Sequence, residues 1–183
     1  FMMTLSMIVT PFVGQNYGAR NIKRTWRGFT FSSLYAMIWS VVVFAVFGLF
    51  GHEIASVFND DPTVVDVTAA FLMIFSLSYG FQGVVIITTS AFNGLSKPLP
   101  AAGAPLVRLL LLYIPLAILG DYLYGLTGIF IGAAIGNVLA GIIAFFWFRR
   151  SLLAIRNRGK RSAVSHPRET LKQPDAEEVD TTN

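Results

Sequence analysis

Six polar side chains stand in sequence that is otherwise strongly apolar: Gln15, Asn16, Tyr79, Gln82, Asn93 and Asn137. Amides and a phenol donate and accept hydrogen bonds, so the chemistry they offer is non-covalent. They can bond a neighbouring helix or line the path of a solute. An amide in hydrocarbon must find a partner, and interhelical bonding is the ordinary way for it to do so. Tyr79 and Gln82 lie three residues apart and share one helix face. For that pair a solute path stands level with packing. Ser76, Ser78, Thr88, Thr89 and Ser90 add hydroxyls to the same run.

Reactive constellations are missing. His52 and His166 lie far apart and outside the apolar runs, as lone surface histidines do. There is no cysteine, which removes disulfides, thiolate catalysis and cysteine-based metal sites. Gly14-Gln15-Asn16-Tyr17-Gly18 follows no strand and lacks Lys-Ser/Thr after its second glycine, so it is no phosphate loop. The sequence predicts no catalytic residue, no metal site and no cofactor, and the chain is not expected to be an enzyme. No Asp or Glu lies deep in an apolar run; Asp66 stands only at the edge of one. Ion-coupled carriers use a buried carboxylate, so a coupling site for H+ or Na+ is expected outside these residues. Arg108 and Lys97 are expected at the cytoplasmic mouth, where Arg108 either snorkels to the interface or fixes a gate through a salt bridge or carbonyl contact.

The elements that must hold these side chains are membrane helices. Of 183 residues 54% are hydrophobic and 13% charged, with a mean hydropathy of +0.62. Soluble domains carry about 25% charged residues. Five apolar runs appear, at 1–19, 26–50, 64–91, 105–123 and 126–148. Each can cross a hydrocarbon core of about 30 Å as a helix rising about 1.5 Å per residue. The alternation of a membrane barrel is absent. The expected fold is an all-α, polytopic transmembrane bundle of about five spans.

Charge orients it. Arg20, Lys23, Arg24 and Arg27 follow the first run; Glu53, Asp60 and Asp61 follow the second; Lys97 follows the third; Asp121 follows the fourth. Arg149, Arg150, Arg156, Arg158, Lys160 and Arg161 follow the fifth. Basic and acidic connections alternate, so the basic ones and the carboxy terminus are expected in the cytoplasm, with residue 1 outside. The net charge of +4 and pI of about 9.6 fit this topology, and nucleic acid is not an expected partner. Trp26, Tyr122, Tyr124 and Phe145-Phe146-Trp147-Phe148 read as interfacial rings. Asp61 is predicted to cap a helix that opens with Pro62, and Asp66 to complement its dipole. Gly128, Gly132 and Gly136, continued by Ala140 and Ala144, form a small-residue face for close packing. Pro11 and Pro115 predict kinks. Residues 1–150 are read as the transmembrane domain and 151–183 as a disordered cytoplasmic tail. Apolar sequence begins at Phe1, which predicts the carboxy-terminal portion of something longer.

An ordered set of motifs resembles the multidrug and toxic compound extrusion (MATE) transporters. Gly14-Gln15-Asn16-Tyr17-Gly18-Ala19 resembles the end of their eighth helix, and Asp61-Pro62 with Val64 the start of the tenth. Ser78-Tyr79-Gly80-Phe81-Gln82-Gly83 and Ala91-Phe92-Asn93-Gly94-Leu95-Ser96-Lys97-Pro98 resemble the tenth helix and its exit. Arg108 to Pro115 and Gly125-Leu126-Thr127-Gly128-Ile129-Phe130 resemble the eleventh and twelfth. The resemblance implies helices 8–12 of a twelve-helix antiporter in a bacterial or archaeal cell membrane. It implies export of drugs or other cationic or amphiphilic compounds in exchange for H+ or Na+, by alternating access. It also implies a partner, the amino-terminal lobe, and a coupling site in that lobe, since the family's tenth-helix acid has no counterpart here. A half of a lipid-linked saccharide flippase and a non-transporting membrane scaffold are the alternatives.

Overall fold

The computed structural model describes the backbone of residues 2–165 and the side chains of residues 2–157. The expected tail residues 166–183, His166 among them, lie outside the described residues, as do the side chains of Arg158, Lys160 and Arg161. All regular structure among the described residues is helical: α1 Met2–Gly18, α2 Ile22–Ser56, α3 Pro62–Gly94, α4 Pro98–Leu106, a π-helical segment Val107–Tyr113, and α5 Ile114–Ser165.

Local chemistry sets the ends. Arg20 adopts φ 56°, reversing the chain after α1. Asn21 then caps α2: its side-chain oxygen accepts the Arg24 N–H at 3.1 Å, while its own N–H reaches the Asn16 carbonyl at 2.8 Å. Lys23, Arg24 and Arg27, expected in a loop, therefore stand in the first two turns of α2. Asp61 caps α3 as its sequence predicts, accepting the Thr63 N–H at 2.8 Å, with Pro62 in the first turn. His52 is not alone: its Nε2 lies 2.8 Å from Asp66, and both side chains are mostly exposed.

The fourth and fifth runs form one helical stretch folded back on itself. Gly125, at φ 59° and ψ −140°, breaks the helix inside α5. Only glycine adopts such a conformation without strain. Beyond it the arms pack at backbone distance. A side chain on Gly128 would strike the Gly120 carbonyl, and one on Gly132 the Leu116 carbonyl. The partner of the small-residue face is thus the hairpin's own first arm. Pro105 and Pro115 bracket the π-helical turns, where the Ile114 N–H donates to Leu109, five residues back. The expected kink at Pro115 takes this form, a widened helix just before the proline.

α3 is the hub, packing against every other helix. The Thr10 hydroxyl of α1 donates to the Ser90 carbonyl at 3.1 Å. Ser40 of α2 donates to the Ser76 carbonyl at 2.8 Å. α3 and the second arm of α5 run parallel, since Ser78 meets Asn137 and Phe92 meets Phe148. The core gathers at the basic end, where Phe29, Phe92 and Phe148 are fully buried with Val13 and Ile87. The Phe29 and Phe148 rings lie 4.2 Å apart. Phe148 is therefore a core residue and not the interfacial ring its neighbourhood predicts, because α2 and α3 close over it. Helix also continues past residue 150, and Leu152 is buried in the same core.

Candidate functional site

The six candidate polar residues fall into two groups. Tyr79 and Gln82 lie on α3 near Ser78, and Asn137 meets Ser78 from α5. Gln15, Asn16 and Asn93 lie where α1 and α3 cross at Gly14 and Gly94, near the basic end. Gln82 and Asn93 are eleven positions apart on one helix, about 16 Å at ~1.5 Å per residue.

In the first group Tyr79 is 48% exposed and Gln82 half-buried. They form a polar face on the outside of this bundle. Asn137 is 1% exposed, and its amide nitrogen donates to the Ser78 hydroxyl at 3.3 Å. Ser78 in turn donates to the Phe75 carbonyl at 2.8 Å. Here the amide is interhelical glue. Its carbonyl oxygen has no protein partner, and neither does the buried Thr88 hydroxyl. Buried polar atoms left this way are where ordered water binds.

The second group differs from expectation. Asn16 does not bridge helices: its amide donates to the Phe12 carbonyl of its own helix at 2.7 Å. Val13 of the same helix is fully buried, with Phe12 and Tyr17 packed against the same core. Gln15 and Asn93 are exposed. Among the described residues no hydrogen bond joins either of them to another helix.

Lys97 immediately precedes α4, half-buried beside the end of α3. Arg108 is also half-buried, in the π-helical segment, over a small cleft lined by Ala104, Ala140, Ala144 and Trp147. Trp147 precedes Arg149 by two residues, so the Arg108 guanidinium is within reach of the basic end. Among the described residues no group of histidine, cysteine or acidic side chains could hold a metal ion.

The MatE family matches residues 1–119. The chain belongs to the MATE family. Its 31% identity over 148 residues to a protein of Shewanella oneidensis described as an FAD transporter covers 81% of this chain and 33% of that one. The fold resembles the Vibrio cholerae MATE transporter VcmN in its bent form, with TM-score 0.80, 25% identity, and 84% of this chain against 35% of that one. It also resembles a multidrug resistance MATE transporter described as inward-facing, TM-score 0.76 and 20% identity over 85% of this chain and 39% of that one. A multidrug resistance MATE transporter described as outward-facing gives TM-score 0.80 and 21% identity, over 85% of this chain and 36% of that one. The chain thus spans about a third of the length of the relatives it matches. Family and fold together make it a multi-pass membrane helical bundle. α2, α3 and the stretch Pro98–Asn157 are long and apolar enough to cross a membrane, the last of them folded at Gly125.

Proposed function

We propose that this MATE-family chain is the carboxy-lobe part of a secondary active efflux transporter. It exports drugs or cationic and amphiphilic compounds in exchange for H+ or Na+, by rocking against an amino-terminal lobe. The observation that carries the reading is the polar face of Tyr79 and Gln82. It lies on the surface of a family bundle whose interior seam is already hydrogen-bonded by Ser78 and Asn137. A half-exposed phenol beside an amide suits a flat, weakly polar cargo. The fold's likeness to both inward- and outward-facing transporters supports a lobe that keeps its own packing while it tilts.

Coupling to H+ or Na+ is assigned to the amino-terminal lobe, because Asp66 and the other described carboxylates lie at the acidic end and outside the polar face. Lys97 and Arg108 form the cytoplasmic mouth, with Gln15, Asn16 and Asn93 in its inner wall. The membrane is the cell membrane, with the basic end and carboxy terminus in the cytoplasm. The relative described as an FAD transporter favours a second cargo reading, a flavin dinucleotide, whose anionic phosphates would draw on Lys97 and Arg108.

Gln82→Leu and Tyr79→Ala in the full-length protein are expected to lower transport of a cationic dye about tenfold each, the worth of one lost polar or aromatic contact. Dye flux in proteoliposomes checks this, alongside thermal unfolding to show an intact fold. Unchanged flux in both variants overturns the site assignment. Faster flux of FAD than of dye, with loss on Arg108→Gln, selects the second cargo.

A further inference from the structure

The start of α2 carries charge that helix stability does not explain. Lys23 and Arg24 stand in its first turn and Arg27 in its second, with no acidic residue among them. Cations at a helix N-terminus oppose the macrodipole. The excess extends across the whole end of the bundle: Arg20, Lys97, Arg149, Arg150 and Arg156 lie there too. Every described carboxylate lies at the other end, at Glu53, Asp60, Asp61, Asp66 and Asp121. No ion pair within the described residues neutralises this surface; the pair between His52 and Asp66 is at the acidic end.

Beside Arg27 the surface is hollow. Trp26, Arg27, Thr30, Phe31 and Leu34, all on α2, line an open, shallow groove of about 300 Å³. Chemistry grades along it. Arg27 marks the rim, Thr30 comes one turn deeper, and Phe31 and Leu34, 70% and 53% exposed, run on toward the middle of the span. The Thr30 hydroxyl is already committed to the Trp26 carbonyl at 3.0 Å, so polar capture rests on the cation. Trp26 is held against Phe29 and Phe145, with ring centres 5.6 and 5.4 Å away, so one wall is fixed. A cation at the rim and exposed apolar side chains below match an amphiphile with an anionic head and an apolar tail. A cationic cargo would meet repulsion at Arg27.

We propose that this groove is a binding site for an anionic phospholipid of the surrounding bilayer. The phosphate pairs with Arg27, in the field of Lys23 and Arg24, and an acyl chain lies over Phe31 and Leu34. Bidentate capture of phosphate is what arginine does best. The assignment requires that the bundle span a membrane with this side of α2 facing the lipid, and it stands apart from the identity of the cargo.

Native mass spectrometry of the full-length protein in detergent tests it, with phosphatidylglycerol and phosphatidylcholine titrated separately. Phosphatidylglycerol is expected to bind the wild type in preference to phosphatidylcholine. Arg27→Gln is expected to weaken it about fivefold, in line with one basic residue at an anionic surface. Arg27→Lys should retain most of the binding. Phe31→Ser should weaken both the lipid and its lysophospholipid analogue. Arg149→Gln, an equal change of charge at the same end but outside the groove, should leave binding unchanged. Equal loss on Arg149→Gln and Arg27→Gln would overturn the site in favour of a diffuse basic surface. Equal binding of phosphatidylcholine would overturn the anionic head. Size-exclusion profiles that match wild type confirm that each variant is folded.

Discussion

Single residues decide how closely these helices approach. Gly132 is the sharpest case, because any side chain there meets the Leu116 carbonyl across the hairpin. Gly132→Ala is expected to destabilise the bundle by about 1–3 kcal/mol, as overpacking does. Gly48→Ala makes the matched control, since nothing lies within 4 Å of the Gly48 position. It should be neutral or mildly stabilising, given the roughly 1 kcal/mol helix preference of alanine over glycine. Thermal unfolding in detergent compares the two, and equal melting temperatures would refute the packing account. The Ser78–Asn137 bond is a smaller quantity. Interhelical bonds of this kind are worth about 0.6 kcal/mol on average, so a double-mutant cycle of Ser78→Ala and Asn137→Ala should return a coupling near that value. These residues also mark the limit of reading from sequence. A glycine face at intervals of four declares close packing but not which helix it meets. Asn16 and Asn137 look alike as lone amides in apolar runs, yet one bonds its own helix and the other bridges two. What separates them is the partner each finds, the Phe12 carbonyl of its own helix in one case and Ser78 of a neighbouring helix in the other, and that follows only from the tertiary crossing.

At the scale of elements, aspartate and proline place the start of α3, while other ends move by several residues, as where α2 begins at Ile22 and α5 continues to Ser165. Asp61 and Pro62 predict the start of α3, and the observed cap matches. The fused stretch from Pro98 onward was harder. A gap of two residues between the fourth and fifth apolar runs foretells a tight reversal, but the π-helical turns between Pro105 and Pro115 have no signal beyond the prolines themselves. They depend on how the first arm fits against Gly136, whose Cβ position is 3.0 Å from the Tyr113 Cα. The aromatic cluster misled in the opposite sense. A run of rings beside arginines reads as an interfacial belt, yet Phe148 is buried, because three helices converge at that end. The hairpin yields its own test. Gly125 holds φ 59° with ψ −140°, a conformation costing other residues about 1–3 kcal/mol. Gly125→Ala should lower stability by that amount, read as a fall in melting temperature. Little change would mean that the reversal tolerates an ordinary residue.

Across the whole molecule, the basic and acidic ends, the polar face of Tyr79 and Gln82, and the membership of the MATE family support the proposed export activity. The bundle is about a third of the length of its relatives, and the proposed activity has it rock against an amino-terminal lobe. Gradient-driven flux is the direct test. The full-length protein in liposomes, with an inward-directed H+ or Na+ gradient imposed in separate experiments, is expected to export a cationic dye against its concentration. Residues 1–183 reconstituted alone at equal density should not. Dye export by the full-length protein that requires one gradient, and its absence from the shorter chain, is the predicted result. Export that ignores both gradients, or equal export by residues 1–183 alone, would contradict the account.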